Sequence, residues 1–88
     1  MLQRGTLDVR FAMRPTVAPQ QMTVHRKDEV YVVVRGRGVL LHGDARDSFE
    51  SGDLLHVAAG VEHRFADMSE DLAVWVIFYG PDGGEVAG

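Results

Sequence analysis

The sequence contains no cysteine. No disulfide can staple the chain, and no thiolate is available as a nucleophile or metal ligand. It also lacks a run approaching the roughly 18 apolar residues that a membrane span requires. The first residues, "MLQRGTLDVRF", have no apolar stretch of the signal-peptide kind, so a cytoplasmic protein is the expectation. Positive charge is sparse. Nine Lys and Arg face thirteen Asp and Glu, for a formal net charge of −4, and no basic cluster is long enough to track a phosphate backbone. That balance argues against nucleic acid as a partner. No window carries a sustained helical period either.

What is there is β-forming sequence in short pieces. The 88 residues allow one domain. A chain this short buries only about 60–65% of the surface its unfolded form exposes, so it relies on a compact core, a metal or a partner subunit. "TLDVRF" alternates, with Leu7, Val9 and Phe11 on one face and Thr6, Asp8 and Arg10 on the other, as a half-buried strand does. Pro15 and Pro19 interrupt the chain. "QMTVH", "EVYVVVR", "VLLH", "RDSFE", "LLHVA", "VEHRFA" and "LAVWVIFY" follow as strands, separated by Gly-containing or acidic turns. "GD" at 43–44 has the form of a tight hairpin turn. About eight short strands without helix predict an all-β fold, a small antiparallel barrel or sandwich spanning 1–88. The Gly-rich tail from residue 80 to 88 is expected to fray.

"LAVWVIFY" is apolar at every position, Leu72 to Tyr79. A strand with one wet face alternates, so a continuous run implies that both faces are covered. One face can pack on the core. The other needs a second layer, and a homodimer is the expected source of it.

The chemistry-bearing residues concentrate in two stretches. In "TVHRKDEVYVVVRGRG", His25 is followed by Glu29 after three residues and by Gly36 after six more. In "GDLLHVAAGVEHRFAD", Gly52, Gly60 and His63 recur at fixed offsets. Residues of equal parity share a strand face, so Glu29, Tyr31 and Val33 lie together, as do His63 and Phe65. If His25, Glu29 and His63 all point inward, two imidazoles and a carboxylate converge, the ligand composition of a facial triad with open positions opposite.

These two stretches resemble the paired motifs of the cupins, a family of small β-barrels of the jelly-roll type: G-x5-H-x-H-x3/4-E-x6-G, then G-x5-P-x-G-x2-H-x3-N. His25, Glu29 and Gly36 stand at their places in the first motif, about residues 18–36; Gly52, Gly60 and His63 stand in the second, about residues 52–67. Thr23 occupies the place of the first His, Ala58 that of the proline and Asp67 that of the final Asn. The opening Gly is absent, with Ala18, Pro19 and their neighbours in that region. The resemblance implies a single-domain barrel with metal ligands His25, Glu29 and His63, one fewer than the family's usual four. An N/O donor set without thiolate suits iron, manganese, zinc, nickel or copper. A register placing His25 at the first His would set Glu29 too close and is rejected.

Tyr31 shares the Glu29 face and is a candidate proton donor, as is His56 if it points inward. His42 abuts the hairpin turn and is expected to be solvated. Arg14, Arg35 and Arg64 are candidates for steering an anionic substrate, although exposed arginines commonly serve solubility alone. "GRG" at 36–38 lacks the helix that a phosphate loop needs. Ser48, Ser51 and Ser69 sit in turns or edges, with no nucleophilic triad in view. The functional expectation is a metal-dependent enzyme on a small molecule, of dioxygenase or isomerase type. The alternatives are a non-catalytic small-molecule binder and a protein-interaction module with a degenerate site.

Overall fold

The computed structural model describes residues 2–13 and 25–85. Among them are eight strands: β1 (Leu2–Arg4), β2 (Leu7–Met13), β3 (Asp28–Arg35), β4 (Arg37–His42), β5 (Ala45–Glu50), β6 (Leu54–Val57), β7 (His63–Ala66) and β8 (Ala73–Tyr79). Every pairing is antiparallel. Five strands form one sheet in the order β1-β2-β8-β3-β6, and three form another in the order β5-β4-β7. No described helix is long and apolar enough to cross a membrane.

The expected all-β fold is present, with differences in detail. The strand read in "QMTVH" falls largely outside the described residues. β1 is a strand that the sequence pattern did not reveal, paired to β2 through Leu2↔Val9 and Arg4↔Leu7. Three residues are too few to display a period. The tail is described as far as Glu85 and is hydrogen-bonded to the start of β3 and the residues before it. Gly83 N donates to Arg26 O at 2.7 Å, Glu85 N donates to Asp28 Oδ2 at 2.8 Å, and Lys27 Nζ donates to Gly80 O at 3.2 Å. Glycine content signalled freedom, but these glycines adopt positive φ and bring the chain back onto β3.

The core lies between the two sheets. Tyr31, Val33 and Val74 from the larger sheet meet Leu40 and Phe49 from the smaller, closed off by Val57 and Leu72. The register explains who points inward. Glu29, Tyr31 and Val33 lie opposite Phe78, Val76 and Val74. The same row continues into β2, where Asp8 faces Phe78, Arg10 faces Val76 and Ala12 faces Val74.

That register reverses the simplest reading of β2. Its alternation is real, but the polar residues Asp8 and Arg10 fall on the inner-face row, where Arg10 stays exposed. Val9 and Phe11 turn outward against Ile77 and Trp75, and Phe11 and Trp75 meet edge to face at 4.9 Å. Val30, Val32 and Leu54 share this outer face by register. Phe11 and Leu54 are 37% and 65% exposed, and Val9, Val30, Val32, Trp75 and Ile77 are partly buried, so this outer apolar layer reaches solvent. The doubly apolar strand β8 is thereby explained: Val74, Val76 and Phe78 face the interior, while Trp75 and Ile77 face this layer.

Gly36 marks a point where backbone meets backbone. Its φ is +88°, and a Cβ there would lie 2.6 Å from Leu72 Cα and 2.9 Å from Leu72 N. Only glycine allows β3 to turn into β4 directly beneath Leu72. Asp67, at the place of the motif's Asn, has φ +50°. Asn and Asp are the side chains that most readily adopt that conformation, so the exchange preserves the turn.

Candidate metal centre

Two segments far apart in sequence are tied together before any side chain enters the site. Gly60 N donates to His25 O at 2.9 Å, and Ala59 N donates to Asp28 Oδ1 at 3.0 Å. These bonds hold the approach to β3 against the turn between β6 and β7. They set His25 and Glu29 on one side and His63, the first residue of β7, on the other.

His25, Glu29 and His63 each offer a ligand atom, and these atoms all lie within 4.8 Å of one another. Glu29 and His63 are each only 2% exposed, while His25 is half-buried. The ring of His25 lies 5.2 Å from that of His63 and meets Phe78 edge-on at 4.8 Å.

The hydrogen bonds specify what this group lacks. Val61 O, which can only accept, lies 2.9 Å from His63 Nδ1, so Nδ1 carries a proton and donates it. That leaves Nε2 aimed at Glu29 Oε1, 3.0 Å away. Glu29 Oε1 is buried and makes no hydrogen bond. A neutral imidazole would here point a lone pair at a carboxylate oxygen. Two acceptors at that distance require a proton or a cation between or beside them. Burial pushes the His63 pKa down, but the Glu29 carboxylate and the Val61 carbonyl outweigh it and hold the pKa above its ordinary value. The site therefore favours positive charge. A backbone carbonyl fixing the far nitrogen of a ligand histidine is the usual means of orienting a metal-binding ring. The donor set fits a divalent transition metal.

Tyr31 is buried beside this group, its ring 4.8 Å from Phe65 and 6.3 Å from His63. Burial, followed by the nearby charge of Glu29, raises the phenol's pKa far above its ordinary value. The hydroxyl stays protonated.

Of the residues singled out in the sequence, His25, Glu29 and His63 come together, with Tyr31 at their side. His56 does not join them. It is exposed and lies opposite Val30, on the face away from Glu29. Its neighbours Leu54, Leu55 and Val57 are all apolar, so the sequence offered no parity to settle its direction. Thr23 lies outside the described residues. His42, expected to be solvated, is partly buried. It pairs directly with His63 across β4 and β7, and its Nε2 lies 2.6 Å from Asp47 Oδ2. Its parity with the core residue Leu40 was the signal that could have placed it. A pocket of about 310 Å³ opens beside His25 and is lined by Asp8, Arg10, Arg26, Lys27, Phe78 and Asp82. Of the arginines considered for steering, Arg35 instead donates to Asp71 O at 2.8 Å, and Arg14 lies outside the described residues.

A family model described as a cupin domain matches residues 9–79. An uncharacterized protein of Streptomyces coelicolor is 43% identical over 58 residues, 66% of this chain and 55% of that protein. The chain thus spans little more than half the length of that relative. A cupin 2 conserved barrel domain protein from Salinispora arenicola superposes with a TM-score of 0.67 at 19% identity, covering 86% of this chain and 65% of that one. The iron(II) form of HppE superposes with a TM-score of 0.70 at 18% identity, covering 84% of this chain and 43% of that one.

Asp28 offers a direct check on the clamp around the site. The backbone N–H groups of Glu85 and Ala59 hold its carboxyl below the usual range, against the opposing effect of burial and with help from nearby His56. A depressed folded pKa means stability that is complete above the unfolded value of about 3.9 and is lost as pH falls through the folded value. The melting temperature of the wild type is therefore expected to fall more steeply below about pH 4 than that of Asp28→Asn. Parallel melting curves across that range would show that the clamp contributes nothing.

Proposed function

The chain belongs to the cupin family, and from that premise we propose that it binds a divalent transition metal through His25, Glu29 and His63 and acts as an enzyme on a small molecule there. The observation that carries this reading is the buried Glu29 Oε1, without a hydrogen bond and 3.0 Å from His63 Nε2. Iron, manganese, zinc, nickel and copper all suit two imidazoles and a carboxylate. Iron(II) is the first to test, since a protein of the same fold is named for its iron(II) form. Three protein ligands leave positions open, and a metal bound there supplies Lewis-acid or redox chemistry of the isomerase or dioxygenase type.

The chain's own residues divide the remaining work. Glu29 places one negative charge at the metal position, which favours a divalent ion over water alone. Val61 O fixes the His63 ring so that Nε2 faces the group. Tyr31 keeps its proton at Oη, which makes it a donor rather than a base. Phe65 and Phe78 form apolar walls against Tyr31 and His25 and keep water from surrounding the ligands.

Metal that binds only the folded state raises its stability by mass action. Adding iron(II), manganese or zinc to metal-free protein is expected to raise the melting temperature by roughly 10 °C at a metal concentration a hundredfold above Kd. His25→Ala, Glu29→Gln and His63→Ala should each remove that rise while remaining folded. A rise that persists in all three variants would place the metal elsewhere.

The uncovered outer face of the larger sheet supports a homodimer. Phe11, Trp75, Ile77, Val30, Val32 and Leu54 present an apolar surface of the kind that subunits bury. Light scattering is expected to give twice the 9.7 kDa chain mass for the wild type and the single chain mass for Leu54→Glu. A wild type that stays monomeric at high concentration would remove this part of the reading.

A further inference from the structure

We propose that the pocket beside His25 is a carboxylate-binding subsite, in which Arg10, Arg26 and Lys27 hold the anionic end of a small organic acid whose other end reaches the His25–Glu29–His63 group. This deepens the metal-enzyme reading by naming its substrate class, and only the second half of the statement rests on that reading.

The starting point is an anomaly of strand β2. An ordinary barrel strand turns its apolar face inward, yet the register of β2 sets Val9 and Phe11 on the outer face and Asp8 and Arg10 on the inner one. Arg10 keeps its side chain 61% exposed at the mouth of the pocket, and Asp8 is 18% exposed beside it. The register supplies their address. Asp8, Phe78 and Glu29 lie in one row across three adjacent strands. Asp8 and Glu29 are therefore two strand spacings apart, about 9.6 Å. The Phe78 ring stands between them, touched by the His25 ring at 4.8 Å and by the Arg10 guanidinium at 5.6 Å from its centroid. A cation and a metal ligand thus flank one aromatic ring, a separation that a small acid can bridge. A pocket of about 310 Å³ is at the low end of the range for ligand sites.

Charge points the same way. The chain carries a formal charge of −4, yet this pocket gathers Arg10, Arg26 and Lys27 against Asp8 and Asp82. The local sign is opposite to that of the molecule. Asp8 Oδ2 holds Arg10 Nη2 at 2.7 Å, and Asp82 Oδ1 stands 3.6 Å from Lys27 Nζ. Among the described residues, Arg26 is exposed and makes no ion pair. The pocket already displays the recognition proposed for it, because two of its three cations are engaged by carboxylates of the chain. Arg10 presents a planar fork over an aromatic floor, a geometry suited to a flat carboxylate. Asp8 is then the internal competitor that an incoming carboxylate replaces on Arg10.

The test uses the full chain freed of metal by chelation, at low ionic strength, with amide NMR signals followed during titration with benzoate, benzamide or inorganic phosphate. Benzoate is expected to shift the signals of Arg10, Arg26, Lys27 and Phe78, and neutral benzamide is not. Arg10→Gln and Arg26→Gln should each weaken benzoate about tenfold, the loss expected for one charge-assisted contact. Asp8→Asn should bind benzoate more tightly than the wild type, and Arg46→Gln, which removes a remote exposed charge, should bind it as the wild type does. His63→Ala should retain benzoate binding, so a failed metal site and a failed anion site give different results. Equal shifts with benzamide, phosphate binding without benzoate binding, equal loss in Arg46→Gln and Arg10→Gln, or no shift at any concentration would each overturn the proposal.

Discussion

The structure depends on one buried charge. Glu29 is 2% exposed and sits in a wall of apolar side chains, where an isolated carboxylate costs several kcal/mol even after relaxation. Tyr31 stands beside it with its phenol proton retained. His63 stands 3.0 Å from Oε1 but has committed its Nδ1 proton to Val61. The arrangement keeps a negative charge in the interior without giving Oε1 a hydrogen bond. A cation at the focus of His25, Glu29 and His63 would satisfy all three at once. The same features that make Glu29 costly to an apolar core suit it to the role of a ligand.

Everything around this charge serves to hold it in place. The larger sheet sets Glu29, Tyr31 and Phe78 in register on one inner face, and the smaller sheet brings His63 to meet them. The joints between them are backbone features. Gly36 lets β3 turn beneath Leu72, Gly60 N anchors the carbonyl of His25, and Asp28 ties the β6–β7 turn to the returning tail. None of these residues faces the ligand position, yet each fixes an element that does. The inner face is also asymmetric. Apolar side chains fill its centre, whereas the edge toward β2 carries Asp8 and Arg10, giving the site a dry side and a charged side.

Much of this was written in the sequence. The strand count followed from short alternating runs and their turns. The candidate trio was picked out by fixed offsets between His25, Glu29 and Gly36, and between Gly52, Gly60 and His63. Offsets of this kind survive because they are backbone geometry: Gly36 and Asp67 show positive φ where the pattern demands it. What escaped was orientation wherever the pattern was ambiguous. β2 alternates cleanly, but alternation does not say which face is inside, and here the register sets its apolar residues on the outer face. His56 sits in a run too apolar to show its direction, and the register places it opposite Val30. His42 adjoins a turn, which suggested solvent, although its parity with Leu40 pointed inward. Glycine content in the tail reports freedom of φ but not the hydrogen bonds that Gly83 and Glu85 make.

The most direct test of the account is where a metal sits. Crystals of metal-loaded protein, with data collected on both sides of the absorption edge of the bound ion, locate it without reference to any assumed ligand. The expected result is one anomalous peak per chain, about 2.0–2.2 Å from a nitrogen of His25, Nε2 of His63 and an oxygen of Glu29. A peak at His56 or at the His42–Asp47 pair, or no peak after loading, would contradict the claim that the buried carboxylate exists to hold a metal.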